Sequence, residues 1–304
     1  MGLGAMALGA CTLESSRPES TPDPDPNATR VEAPARVVAI GDLHGDLSAA
    51  RAALRLAGAI DSLDRWTGAD LVVVQTGDIL DRGDEEEAIF RLFQDLDEQA
   101  EVAGGAVHVL NGNHELMNAY LDYRYVTDGG WADFEDVAEV LAVDSFLATL
   151  EPRQRARAQA LRPGGEFARL LAENNTFLIV GETLFTHGGV LPEHVDFGLD
   201  WMNERVRAWL LGEETQPEWI RGDLSPVWNR LYSDAPDLAA CDTLTMVLEG
   251  LEVDRIVVGH TVQDAGITSY CGGRVWCIDV GMAEHYGGRP EVLEIRGDVV
   301  RGLR

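Results

Sequence analysis

An α/β fold is predicted by three features of this 304-residue chain. Short apolar, β-rich runs recur at 37–40, 71–74 and 106–110. Segments with helical apolar spacing lie between them. Each run leads into Gly, Asp, Asn or His. A β-α-β-α-β order with polar residues gathered past the strand ends belongs to α/β sheets, whose sites form at that edge.

The elements follow in order. Residues 37–40 (VVAI) form a buried strand that opens at Gly41-Asp42. Leu47, Ala50, Leu54 and Ala57 fall at helical spacing within 46–58. The run 71–74 repeats the strand pattern and leads to Gly77-Asp78. An acidic start at 84–87 opens a helix through about 103, with negative charge at the end where the helix dipole favours it. A third strand, 106–110, ends in Asn111-Gly112-Asn113-His114. Residues 116–175 carry few strand signals and are expected to be a helical insertion. Arg153, Arg155 and Arg157 on it are expected to form a solvated helix face. Strands resume at 176–180 and 183–186, ending in His187-Gly188-Gly189. A helix fits 237–250, and a strand at 255–258 ends in Gly259-His260. Short strands and Gly turns over 266–296 close the fold.

Composition excludes several functions. Apolar residues make up 45% and charged residues 25%, which suits a soluble domain with a sizeable core. The 24 basic residues, all arginine, face 52 acidic ones, a net charge of −28. Nucleic-acid binding needs a positive footprint and is not expected. No apolar run reaches the length of a transmembrane helix. At the amino terminus, Leu8-Gly9-Ala10-Cys11 resembles a lipobox, so residues 1–11 read as a truncated lipoprotein signal with a lipid anchor at Cys11. Residues 12–34 are rich in Pro, Ser, Thr, Asp and Glu and read as an extended tether. The folded domain is placed at 35–304. The expected location is periplasmic or membrane-tethered as a bacterial lipoprotein, with the cytoplasm as the alternative.

The polar residues past the strand ends make one set: Asp42 and His44, Asp78 and Asp81, Asn113 and His114, His187, and His260. One Asp or His at a strand end is commonly structural. Five such ends converging point to metal. Mixed carboxylate, imidazole and amide donors without thiolate suit Mn, Fe or Zn in a catalytic rather than a structural site. Asp78 is the natural bridge between two ions, a pair that activates water and clamps an in-line displacement, so metal-assisted hydrolysis of a phosphate ester is expected. His114 is suited to protonate the leaving oxygen and Asp81 to hold its ring. Arg82 offers a planar fork for phosphate oxygens.

The motifs GDLHGD (41–46), GDILDRG (77–83), GNHE (112–115), HGG (187–189) and GH (259–260) resemble, in order and spacing, those of the phosphoprotein phosphatases of the calcineurin-like metallophosphoesterase superfamily. NHELMN (113–118), DYRYVT (122–127), SPVWNRLYSD (225–234) and GHTVQ (259–263) are most similar to its Shewanella-like branch, a bacterial and plant type. The resemblance implies a four-layer α/β/β/α sandwich and two divalent ions, manganese first and iron or zinc otherwise. Asp42, His44 and Asp78 would hold one ion. Asp78, Asn113, His187 and His260 would hold the other. It implies His114 as general acid oriented by Asp81, phosphate bound by Arg82, Arg230 and Asn113, and phosphoprotein substrates with phosphotyrosine favoured. A small-molecule phosphoesterase, such as a dinucleoside polyphosphate hydrolase, is the alternative. GHTVQ stands where GHTPQ is more usual, a loop change outside the ligand set.

Three further cysteines leave the pairing open. Cys271 with Cys277, Cys241 with Cys271, and free thiols are all compatible with the spacing. Trp201 and Trp209, eight residues apart, are expected to form a core stripe. Trp228 is the tryptophan expected near the site.

Overall fold

The computed structural model describes Met1, residues 27–135 and residues 145–304. The lipobox-like segment, most of the expected tether and residues 136–144 of the insertion lie outside the described residues.

Two sheets form the centre. In the first, β2 (Val37–Ile40), β3 (Val72–Gln75) and β4 (Ala106–Val109) run parallel. The antiparallel pair β10 (Val292–Arg296) and β11 (Val299–Leu303) joins beside β2, giving the order β11-β10-β2-β3-β4. The second sheet has the order β1-β5-β6-β7-β9-β8, from β1 (Arg30–Val31), β5 (Phe177–Val180), β6 (Thr183–Thr186), β7 (Arg255–Val258), β8 (Thr268–Tyr270) and β9 (Val275–Cys277). Side chains alternate along a strand, so each sheet offers two apolar faces. Val37, Ala39, Val72 and Val74 meet Leu178, Val180, Phe185 and Val257 between the sheets. Val38, Ile40, Val73 and Val107 face the other way, against helices α1 (Leu47–Ala57) and α2 (Glu86–Ala103). On the far side Leu184, Ile256, Val258 and Val275 pack against helix residues Leu199, Met202, Leu244 and Leu248. The result is the expected α/β/β/α layering.

The helices begin and end where local chemistry dictates. Asp46 caps α1 by accepting from Ala49 N at 2.9 Å, and Gly58 ends it in the left-handed region (φ 70°). Between β4 and β5 the described residues are helical: α3 (Asn113–Ala119), α4 (Asp128–Ala132), a 3-10 turn, α5 (Gln154–Leu161) and α6 (Glu166–Glu173). Phe134, Leu161, Phe167 and Leu171 join the core beneath α2, so this insertion shares the core of the domain. After β6 come α7 (Pro192–Phe197), α8 (Leu199–Leu210) and α9 (Leu238–Leu251). Asp237 caps α9 through Ala240 N at 2.8 Å.

Four sequence expectations are corrected. Arg30–Val31, inside the expected tether, pairs with β5, and Thr29 beside it is buried against Asn203. Trp209 is buried, but Trp201 is 46% exposed. Eight residues on a helix of 3.6 per turn leave two side chains about 80° apart, enough to put one on the surface. Arg157 is fully buried, not solvated, whereas Arg153 is exposed. An unexpected strand, β11, follows β10. The open cysteine question is resolved by a disulfide between Cys241 on α9 and Cys271 just after β8, with Cα atoms 5.4 Å apart. Cys277 is a free buried thiol, and burial pushes its pKa up to about 12.

Candidate metal centre

The two sheets deliver their polar loops to one edge. β2, β3 and β4 supply Asp42, His44, Asp78, Asn113 and His114. β6 and β7 of the facing sheet supply His187 and His260. All seven are buried. The loops are tight. His44, Asp78, Asp81, Arg82 and His260 all have positive φ, between 44° and 71°, a costly conformation for side-chain-bearing residues that gathers at functional sites. Glu115 holds much of this backbone in place. Its carboxylate accepts from Asp78 N, Ile79 N, Leu80 N and Gly112 N at 2.8–3.1 Å. Packing is close enough to exclude a β-carbon at Gly259, where it would lie 2.4 Å from Asp42 Oδ1.

Asp78 is central. Its Oδ2 lies 3.1 Å from His187 Nε2, 3.8 Å from His114 Nε2 and 3.9 Å from His44 Nε2, while Oδ1 accepts from His114 N at 2.9 Å. His187 Nε2 is 2.8 Å from Asn113 Oδ1 and 3.2 Å from His260 Nδ1. Asp42 sits behind, accepting from His260 N at 3.1 Å, with His44 Nε2 and His187 Nδ1 each 4.0 Å away. Two donor groups therefore meet at Asp78: His44 with His114, and His187 with His260. The first differs from the expected set. His114, not Asp42, falls in it, while Asp42 lies at the margin between the two.

The ring hydrogen bonds suit metal binding. His187 Nδ1 lies 2.9 Å from Thr76 O and His44 Nδ1 lies 3.1 Å from Leu80 O. A proton on each Nδ1 leaves each Nε2 lone pair aimed inward. Burial, followed by the charge of His114, pushes the His44 pKa down to about 3. Burial, followed by the charges of His187 and Arg230, drives His260 well below the usual histidine range. His260 Nε2 is buried with no protein partner. Burial, Asp279 and Asp78 together hold the Asp42 carboxyl well above the usual carboxylate range. Asp279, buried after β9, is itself raised to about 6, mainly by burial. Neutral imidazoles, crowded carboxylates and an unpartnered ring nitrogen fit divalent cations, whose charge would offset that crowding.

Beside the centre, His114 Nδ1 lies 2.6 Å from Asp81 Oδ2. Burial alone would lower His114, but Asp78 and Asp81 reverse this and raise its pKa. Arg82 stacks on Tyr125, its guanidinium carbon 4.1 Å from the ring centroid, and has no carboxylate partner among the described residues. The Tyr286 ring centroid also lies near it, 5.6 Å from the guanidinium carbon and 5.4 Å from the His44 ring. Arg230 reaches the His260 loop, where Nη1 donates to His260 O and Thr261 Oγ1, both at 2.8 Å. Trp228 packs edge-on to His260 at 5.7 Å, as expected of it. The structure thus brings every sequence-predicted site residue to one edge.

Sequence reasoning missed four residues here. Glu115 follows Gly112 by three, the spacing of a capping-box acid. Tyr125 lies within DYRYVT, a motif with no assigned chemistry. Asp279 and Tyr286 carry no local signal and reach the site only because β9 lies beside β7.

The family model for calcineurin-like phosphoesterases matches residues 35–264. The chain is 43% identical over 304 aligned residues to Shewanella-like protein phosphatase 2 of Arabidopsis thaliana, covering 89% of this chain and 77% of that protein. It is 27% identical to Shewanella-like protein phosphatase 1 of Plasmodium berghei, covering 88% and 74%. Among solved structures it resembles the cold-active protein-tyrosine phosphatase of a psychrophilic Shewanella species, with TM-score 0.72, 26% identity and coverage of 95% and 89%.

Proposed function

The chain belongs to the calcineurin-like phosphoesterase family, and we propose that it is a metal-dependent phosphoprotein phosphatase that favours phosphotyrosine. The observation that carries this reading is Asp78 Oδ2 within 3.1–3.9 Å of three imidazole nitrogens, with the His114–Asp81 pair alongside. Asp42, His44, Asp78, Asn113, His187 and His260 would hold two divalent ions; the donor set suits Mn, Fe or Zn, and the family likeness puts manganese first. When bound, the pair supplies charge neutralisation at the phosphoryl oxygens and activation of water.

The chain's own residues do the rest. Arg82, beside the Tyr125 and Tyr286 rings, and Arg230, held at His260 O and Thr261 Oγ1, bind the phosphoryl group, assisted by Asn113. Water oxygen forms the new P–O bond while the ester P–O bond breaks. The proton on His114 Nε2 goes to the departing oxygen, and Asp81 holds Nδ1 so that Nε2 stays directed at it. The tyrosine preference is supported by the likeness to a protein-tyrosine phosphatase and by the two tyrosine rings beside Arg82.

Export as a lipoprotein, anchored at Cys11, is part of the proposal. The Cys241–Cys271 disulfide supports it, because such bonds persist in oxidising compartments. Mass spectrometry of the native protein is expected to find an acylated Cys11. An intact Met1 with unmodified Cys11 overturns this part.

The activity is tested by initial rates on matched phosphotyrosine, phosphoserine and phosphothreonine peptides with Mn²⁺ or chelator. Metal-dependent turnover led by phosphotyrosine is expected. Hydrolysis of small phosphoesters with no peptide turnover moves the function to the small-molecule reading.

A further inference from the structure

The insertion buries one guanidinium completely. Arg157 on α5 has no exposed surface, and each of its three nitrogens donates. Nε donates to Asn118 Oδ1 at 2.7 Å. Nη1 donates to Gly130 O at 2.9 Å and to Glu86 Oε2. Nη2 donates to Asp81 Oδ1 at 3.0 Å and to Glu86 Oε1 at 3.1 Å. Charges this deep cost several kcal/mol to desolvate, and apolar packing serves stability equally well, so stability alone is a weak account of the cluster.

Its geometry converges on Asp81. Glu86 Oε1 accepts from Asp81 N. Asn118 Nδ2 donates both to Asp81 Oδ1 at 3.0 Å and to His114 O at 2.9 Å. Asp81 is in the left-handed region, φ 67°. One carboxylate oxygen is therefore saturated by Arg157 and Asn118, and the other is left for His114 Nδ1. Rotation of that carboxylate would break three hydrogen bonds at once.

We propose that Arg157 is a positioning residue for proton transfer: it locks the Asp81 carboxylate in the one orientation that holds His114 against the leaving oxygen. The inference rests on the phosphatase reading with His114 as the acid. It makes the insertion part of the catalytic apparatus, through a contact to the orienting carboxylate and none to substrate.

The test is leaving-group dependence. Arg157→Met, the charge-neutral pair Arg157→Met/Glu86→Gln, and Arg157→Lys are compared with wild type on aryl phosphates running from dinitrophenol to phenol as leaving group. A poor leaving group needs the proton and a good one does not, so kcat on phenyl phosphate is expected to fall about tenfold to a hundredfold with KM within about twofold. The loss is expected to shrink towards nothing with dinitrophenyl phosphate, and bound metal to stay constant. The double variant leaves no unpaired glutamate behind. Arg157→Lys keeps the charge without the fork and is expected to lose at least about fivefold on phenyl phosphate. Arg153→Ala, on the exposed side, is expected to leave the leaving-group slope unchanged. Equal losses across the series, or wild-type kcat in a folded variant, overturn the inference and make Arg157 a staple of the fold. Absence of turnover by wild type on every ester would instead sink the phosphatase reading itself.

Discussion

The metal-centre loops and the helical insertion both bury charge, but by different routes. Asp42, Asp78 and Asn113 each follow a parallel strand of one sheet within a few residues, and His187 and His260 do so on the other. Strand pairing alone brings them to a common edge. Arg157 follows the exposed Arg153 and the half-buried Arg155, and only the contacts it makes with Asn118 on α3 and Glu86 at the start of α2 select it. Site chemistry carried by backbone topology can be read along the chain. Chemistry carried by side-chain packing cannot.

The sharpest way to break this comparison is at Asp78. Asp78→Asn removes the negative charge about which both donor groups are arranged and puts an amide NH2 in place of one of its two oxygens. Turnover is expected to fall about a thousandfold or more, and bound metal per chain to drop in parallel. Full activity with this change would remove the centre from catalysis altogether.

His114→Ala is expected to cost about a hundredfold in kcat on phosphotyrosine peptide, the usual worth of a general acid. Bound metal is the discriminating readout, because His114 Nε2 lies as close to Asp78 as His44 does. Retained metal supports the acid role. Metal lost together with activity would make His114 a ligand and correct the division of labour around Asp78.

The third contrast lies within the insertion. Arg157→Met leaves Glu86 buried without its cation, and unfolding free energy is expected to fall by about 3–5 kcal/mol in denaturant titrations. Arg153→Ala is expected to change nothing measurable, since its ion pair with Asp128 is open to water. Similar losses in both would mean that burial does not separate these arginines.

These contrasts mark what the sequence carries. The strands 37–40, 183–186 and 255–258 are legible because a buried strand is a short apolar run whose boundaries are set by the polar residues flanking it. The ligands are legible for the same reason. β1 is hidden because two residues amid Pro, Asp and Glu become a strand only when β5 offers an edge. Glu115 is half legible: its spacing from Gly112 is local, but three of its four amide partners lie in the 78–80 loop. Arg157 is illegible because all its partners lie far along the chain, and Asp279, whose Oδ1 accepts from nearby Gly281 N, meets Asp42 only because β9 pairs with β7.

A buried histidine outside the centre supplies the smallest effect and the finest distinction. His194, at the third position of α7, accepts from Leu191 N through Nδ1 at 3.0 Å, while Glu193 lies 4.0 Å from Nε2 and is largely exposed. Burial lowers its pKa from 6.5 to about 4. Between those values the unfolded chain binds the proton and the folded chain does not. Stability is therefore unaffected above about pH 6.5 and is lost as pH falls towards 4, by at most about 3 kcal/mol. His194→Gln keeps an acceptor for the Leu191 amide and removes the titration. The difference in urea midpoint between the two proteins is expected to grow across that window. His44 is lowered by the same physical cause, burial, yet its free nitrogen faces Asp78 where that of His194 faces no buried carboxylate. A flat difference would mean that the His194 ring takes up its proton without disturbing α7, and that burial alone does not keep a histidine neutral in this fold.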